Sequence, residues 1–264
     1  MATLQALHDA EAIRAYLNRQ PMRHIYELGD LDPFFWPQTV WYGWVDGTAI
    51  EQLALLYVPG GAPVLLTHAN DAGTGHEQFV QALCAVLPKR FYAHIDTPTM
   101  QMLGAVYAGD PHGAYRKMGL QDRARALAAD AGEAKMLTIN DIQALERLYA
   151  EAYPGNWFDA RMVQTGCYAG IWQGDVLVAA AGIHVVSERE RVAGLGNVTS
   201  HPTVRGKGYA RQVCARLLRH LDALGIAHIG LNVAAGNGAA IALYQKLGFT
   251  EVAEYYEWSF TSQA

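Results

Sequence analysis

The sequence predicts an α+β protein of two tandem units, each a largely antiparallel mixed sheet flanked by helices. Three observations predict it. At 264 residues the chain exceeds the roughly 100–150 residues at which single domains cluster. Strand-like runs rich in Val, Ile and Ala alternate with helix-period apolar stripes, and short polar turns join several of the runs. Glycines and histidines of the first half recur at a fixed interval in the second.

Composition narrows the function classes. With 51% hydrophobic and 17% charged residues the chain has the apolar material for packed cores. A net charge of −5 argues against a general nucleic-acid or anionic-membrane surface, so any anion is expected to be bound locally. Cys84, Cys167 and Cys214 form no Cys-x-x-Cys pair and leave an odd count, which fits a reducing cytoplasm. Met1 to Arg14 carries Asp9 and Glu11 and no long apolar core, so neither a signal peptide nor a membrane span is expected there, only a short amphipathic helix. No His or Cys spacing suits a metal, and no Gly-x-Ser-x-Gly elbow supports a serine hydrolase.

The alanine-rich, charged stretch from Asp122 to Glu133 breaks at Asp130-Ala131-Gly132, which sets the expected domains at 1–130 and 133–264. Downstream, Ala134 to Ile139 reads as a short strand. Asn140 offers an N-cap to a helix with Ile142, Leu145, Leu148 and Tyr149 on one face. Tyr153 to Phe158 is then a loop. Tyr168 to Trp172 and Val176 to Val186 flank Gln173-Gly174-Asp175, a hairpin signature. The polar turn Ser187 to Arg191 returns the chain into a third strand, Val192 to Ser200, which Pro202 stops. From Tyr209, Val213, Leu217 and Leu221 recur every fourth position beside Cys214 and Leu218, giving a helix with an apolar stripe. His228 to Val233 is a strand, Ala239 to Leu247 a helix ended by Gly248, and Glu251 to Phe260 the last strand.

Chemistry concentrates between the third strand and the helix after it. In Arg205-Gly206-Lys207-Gly208-Tyr209-Ala210 the glycines let backbone amides turn inward, and the helix that follows adds its unpaired amides and the positive end of its dipole. Such a loop suits phosphate oxygens. It lacks the third glycine of a dinucleotide fingerprint and the Lys-Ser/Thr ending of a nucleoside-triphosphate loop. The segment resembles the Gln/Arg-x-x-Gly-x-Gly/Ala signature of the GNAT superfamily of acyl-CoA N-acyltransferases. Asn237 to Phe249 is similar to that family's Asn-x-x-Ala-x-x-Leu-Tyr-x-Lys-x-Gly-Phe segment. The resemblance covers about residues 134 to 260.

The resemblance implies a GNAT-like fold and transfer of an acetyl group from acetyl-CoA to a primary amine in a ternary complex. It places the pantetheine along Val198, Thr199 and Ser200, where that strand splays from Leu231, Asn232 and Val233. The pyrophosphate falls on Gly206, Lys207, Gly208, Tyr209, Ala210 and Arg211, with Arg205 and Asn237 in the two signatures. Tyr244 takes the general-acid position, protonating the departing thiolate. An amine with a reference pKa of about 10.4 must lose a proton before it attacks, so a base or a water chain is needed. His184, Asn197 and Glu151 are the candidates, and His201 reads equally well as a strand-end residue. Trp157 and Phe158 either wall an acceptor pocket or anchor their loop. A small amine or amino-acid-like acceptor is expected ahead of a protein. The rival class is a non-catalytic acyl-CoA-binding regulatory module.

The first half echoes the second. His68 and His201, Gly73 and Gly206, and Gly75 and Gly208 are each separated by 133 residues, and Tyr115 to Leu120 mirrors Tyr244 to Phe249 at 129. His76 to Leu87 is helix-like and Phe91 to Ile95 strand-like. Ala72 stands where Arg205 stands, and no asparagine accompanies Tyr115, so the half is read as a degenerate GNAT-like duplicate and one active site is expected.

Overall fold

The computed structural model describes residues 1–69 and 74–263. Ala72 and Gly73, part of the expected echo, lie outside the described residues. The chain forms two compact units: Met1–Lys117 with Ala234–Gly236 and Ala253–Ala264, and Met118–Val233 with Asn237–Val252.

The first unit holds β1 (Thr3–Leu7), α1 (Ala10–Leu17), α2 (Ile25–Gly29), β2 (Thr39–Asp46), β3 (Ala49–Tyr57), β4 (Val64–Thr67), α3 (His76–Leu83), β5 (Arg90–Ile95), α4 (Thr97–Gly104) and most of β6 (Tyr107–Leu120). The opening segment differs from the single helix expected of it. Thr3–Leu7 pairs with Val45–Trp41 of β2, and Asp9, whose carboxylate accepts from the amides of Glu11 and Ala12, starts the helix only afterwards. Strands β2, β3 and β4 form an antiparallel meander, and β5 joins β4 in parallel after α3. Leu56, Leu65, Phe79, Leu83, Phe91 and Phe260 belong to its buried core.

The second unit repeats that order. It holds α5 (Arg123–Ala128), β7 (Lys135–Met136), α6 (Ile142–Ala152), β8 (Ala169–Gln173), β9 (Val176–Ser187), β10 (Val192–Ser200), α7 (Tyr209–Ala223), all but the last residue of β11 (His228–Ala234), α8 (Gly238–Lys246) and the start of β12 (Phe249–Ser262). Strands β8, β9 and β10 are an antiparallel meander, and β11 pairs with β10 in parallel after α7. Each unit is thus a mostly antiparallel mixed sheet flanked by helices. The stripe of α7 lies where its period puts it, with Val213, Cys214, Leu217, Leu218 and Leu221 buried. Burial pushes the Cys167 thiol up to about 11 and that of Cys214 up to about 12. Among the described residues no helix is long and apolar enough to cross a membrane.

Two details run against the sequence. The break at Asp130–Gly132 falls inside the second unit, because Arg123 of α5 binds Asp222 and the carbonyls of Ile226 and Ala227, and Arg219 of α7 donates to Leu127 and Ala129. The last strand forms, yet Tyr256–Thr261 pair with Ile95–Arg90 of β5, in the first unit. Pattern reveals a strand but not its partner.

The expected likeness of Tyr115–Leu120 to Tyr244–Phe249 is one of letters, since the former lies in β6 and Tyr244 in α8. The counterpart of α8 is α4. Asp96 caps α4 through the Thr99 amide at 3.0 Å, as Asn237 caps α8 through the Ala240 amide at 3.1 Å. Gly75 and Gly208 correspond closely, each a left-handed residue, φ 74° and 83°, opening the helix after the meander.

Gly248 ends α8 at φ 94°, and a β-carbon there would run into the Asp122 carbonyl, whose residue also donates its amide to the Gly248 carbonyl at 3.0 Å. Gly248→Ala is therefore expected to destabilise the protein by about 2 kcal/mol or more. A urea midpoint equal to wild type would show that the turn yields without strain.

Candidate active site

The site begins with a bulge in β10. Gly196 pairs with Gly182 and Thr199 with Ala180, so Asn197 and Val198 together face the single residue Ala181. Asn197 takes up the extra length at φ 54°, a conformation asparagine tolerates better than most residues. Buried hydrogen bonds hold it. The Tyr149 hydroxyl donates to the Asn197 carbonyl at 2.9 Å, the Asn197 side-chain amide donates to the Tyr168 hydroxyl at 3.2 Å, and Tyr168 donates to the Ile183 carbonyl at 3.2 Å. Burial raises the pKa of both phenols above the ordinary range, so both remain protonated donors. A β-carbon on Gly182 would collide with the Tyr168 ring, which is how that ring comes close enough to serve.

On the other edge of β10 the parallel ladder with β11 runs from Val192–His228 to Leu195–Leu231. Among the described residues it goes no further, although β10 continues to Ser200 and β11 to Ala234. The strands part at the bulge. Val198 and Ser200 are half-buried and Thr199 is buried. Among the described residues the Ser200 hydroxyl and the Asn232 side-chain oxygen Oδ1 are enclosed and without a hydrogen-bond partner.

Beyond Ser200 the chain makes a 3-10 turn at Pro202–Val204 and enters the glycine loop. Gly206 at φ 79° and Gly208 at φ 83° turn it through the left-handed region, with open space beside both α-carbons. The amide of Lys207 reaches Val204, and those of Arg211 and Gln212 reach Gly208. Among the described residues the amides of Gly206, Gly208, Tyr209 and Ala210 have no acceptor. A run of such amides at a helix N-terminus, with the exposed cations Arg205, Lys207 and Arg211, makes an anion-binding concavity. Arg205 braces the turn by donating to the Ser200 and Ala152 carbonyls, both at 3.4 Å.

The other expected residues are placed as follows. Tyr244 is buried on α8 with its ring edge-on to Phe249 at 5.9 Å. His184 is the bulged residue of β9, between the Gly194–Val185 and Leu195–Ile183 pairs, and its ring fills the space a side chain on Gly196 would need. Glu151 and His201 bind each other at 3.1 Å on the surface, and His201 also meets Thr203 at 2.7 Å. Asn237 uses its side chain to cap α8. Phe158 packs on Tyr149 and Tyr168, anchoring the 153–158 loop, whereas Tyr153 and Trp157 are exposed. Tyr149 and Tyr168 carry structural roles that their sequence positions, a core stripe and a strand start, did not show. Among the described residues no group of three or more His, Cys, Asp or Glu could hold a metal.

Residues 137–249 match the acetyltransferase (GNAT) family. They form a GNAT acetyltransferase domain. A 59-residue stretch is 41% identical to ribosomal protein bS18 alanine N-acetyltransferase of Escherichia coli strain K12, covering 22% of this chain and 40% of that protein. The corresponding Salmonella typhimurium enzyme is 39% identical over the same length. The chain thus matches less than half the length of these curated relatives. Among solved structures, a Drosophila protein has a TM-score of 0.73 at 13% identity over 99% of both chains. A tandem GNAT protein from the clavulanic acid biosynthesis pathway has 0.59 at 16% identity over 98% of both. At these identities the likeness is one of fold, and it spans nearly the whole chain.

Removing the hydroxyl in Tyr168→Phe leaves the Asn197 amide without its acceptor, and is expected to cost about 1–3 kcal/mol in chemical denaturation. A variant as stable as wild type would mean that the bulge does not depend on this bond.

Proposed function

We propose that the GNAT domain transfers an acetyl group from acetyl-CoA to a primary amine by direct attack in a ternary complex, at a single site in the chain. The observation that carries this is the set of amides of Gly206, Gly208, Tyr209 and Ala210, which have no acceptor among the described residues and lie directly downstream of a bulged strand with an open edge. The residues suit the donor. Val198, Thr199 and Ser200 offer backbone groups to the pantetheine arm, and the enclosed oxygen of Asn232 accepts from one of its amides. Gly206, Gly208, Tyr209 and Ala210, with Arg205, Lys207 and Arg211, hold the pyrophosphate.

When bound, acetyl-CoA supplies an activated thioester carbonyl. The Val198 amide donates to that oxygen, where negative charge grows as the nitrogen attacks. The amine nitrogen bonds to the carbonyl carbon as the carbon–sulfur bond breaks. Tyr244 gives its proton to the sulfur, and the proton lost by the amine passes to His184, which abuts Gly196 just before the bulge. Asn197 acts by position, since its side chain is committed to Tyr168. Asn237 likewise acts through the cap of the helix that carries Tyr244. The raised thiol pKa values of Cys167 and Cys214 leave neither as a thiolate at neutral pH, which favours direct attack over an acetyl-cysteine route.

A single site is supported by the contrast between the two matching glycines. Beside Gly208 the space is open, but beside Gly75 the Trp44 indole fills it. The acceptor is proposed to be a small amine or amino-acid-like molecule, with a peptide N-terminal alanine, the group named for the Escherichia coli relative, as the competing class.

Tyr244→Phe is expected to lower kcat by about 10²–10⁴-fold in a thiol-release assay while acetyl-CoA binding by calorimetry is kept. An unchanged kcat removes the tyrosine from the chemistry. Gly208→Val is expected to weaken acetyl-CoA binding at least tenfold, a loss of about 1.4 kcal/mol, and full affinity in that variant would place the pyrophosphate elsewhere.

A further inference from the structure

We propose that Glu151 and His201 are positioning residues for the acetyl-CoA site, fastening the chain between the bulge and the glycine loop to the last turn of α6. The inference rests on the acetyl-transfer reading of that site and concerns two residues to which that reading gives no role.

The last turn of α6 meets this stretch of chain at three points, four residues apart. The Tyr149 hydroxyl donates to the Asn197 carbonyl at 2.9 Å, Glu151 meets His201 at 3.1 Å, and the Ala152 carbonyl accepts from Arg205 at 3.4 Å. The helix is a firm support, because Leu145, Leu148 and Tyr149 are buried in the core. Asn197 belongs to the bulge and Arg205 opens the glycine loop. The Glu151–His201 contact is the middle point of the attachment.

The surroundings of His201 fix its ring for this contact. Its backbone amide donates to the Val178 carbonyl at 2.8 Å. Its Nδ1 accepts from the Thr203 amide at 3.3 Å and lies 2.7 Å from the Thr203 hydroxyl. With Nδ1 accepting, Nε2 carries the ring hydrogen and donates it to the Glu151 carboxylate. One imidazole thus joins the 3-10 turn at Pro202–Val204 to α6. Both of its nitrogens are engaged, so neither is left to take a proton from the acceptor amine.

The glycine loop needs such support. Gly206 at φ 79° and Gly208 at φ 83° have open space beside them, so nothing in their own packing holds the loop in one shape. The amides of Gly206, Gly208, Tyr209 and Ala210 serve a pyrophosphate together only when they are held in one arrangement. A turn fastened in advance spares the ligand the cost of ordering it. The His201 side chain is 24% exposed and that of Glu151 64%, so the effect is that of a surface pair, a few-fold in affinity.

The test is calorimetric titration of the full-length protein with acetyl-CoA, with Tm measured in parallel, for wild type, Glu151→Ala, His201→Ala, the double variant and Glu151→Gln. Each alanine variant is expected to raise the Kd for acetyl-CoA about three- to fivefold with Tm unchanged. The double variant should bind no more weakly than His201→Ala, since both changes remove the same contact. Glu151→Gln keeps an oxygen that accepts from Nε2 and should bind as wild type does. Wild-type affinity in both alanine variants overturns the inference, as do additive losses in the double variant. A loss in Glu151→Gln equal to that in Glu151→Ala, with a lowered Tm in both, overturns it as well and makes the pair a contact of the fold alone. A wild-type chain that binds no acetyl-CoA overturns the cofactor reading and this inference with it.

Discussion

One extra residue in β10 organises the second unit. With Asn197 and Val198 opposite Ala181 alone, the strand bends, and the bend falls where its parallel ladder with β11 stops. A continuous ladder would spend the amides of β10 on β11 and leave no edge for a ligand. The bulge is energetically possible because its strained residue is an asparagine and two buried tyrosines bind its backbone carbonyl and its side-chain amide. The Tyr168 ring is admitted by Gly182, where a side chain would collide with it. The geometry at Val198 thus depends on packing several residues away, in α6, in β9 and just before β8.

The second requirement is backbone amides held in place without partners. Such groups are costly in a protein interior and are tolerated at Gly206, Gly208, Tyr209 and Ala210, where the glycines are exposed and the first two helix residues half-buried. The bulge and the loop are joined by six residues that include a 3-10 turn braced by Arg205, so strand edge and amide cradle are fixed relative to each other. The first unit repeats the strand order and the left-handed glycine before a helix, then places Trp44 against Gly75. The fold is retained while the space for close ligand approach is filled.

Much of this was legible in the sequence. The stripe of Val213, Leu217 and Leu221, the hairpin at Gly174 and the stop at Gly248 follow local rules, and the structure has each of them. The glycine loop could be located because positive φ has so few other residues to serve it. The rest was not local. Nothing in Glu251–Phe260 says that the strand pairs with β5, and nothing around Tyr115 says that Asp96, rather than an asparagine, caps the helix equivalent to α8. The bulge was hidden because an insertion of one residue into a strand leaves no mark on an apolar run. The roles of Tyr149 and Tyr168 were hidden because a tyrosine in a core stripe looks the same whether or not its hydroxyl has work to do.

The central claim is that the geometry around Val198 delivers an acetyl group to nitrogen, and the most direct measurement follows the acetyl group itself. The protein is incubated with acetyl-CoA labelled in the acetyl carbons, together with small amines, amino acids and an alanine-terminated peptide, and each acceptor is weighed by mass spectrometry. The account predicts label on the nitrogen of a primary amine, dependent on the protein and lost with the open loop. Tight acetyl-CoA binding with no label in any acceptor would contradict it and leave the domain as a binder of acyl-CoA.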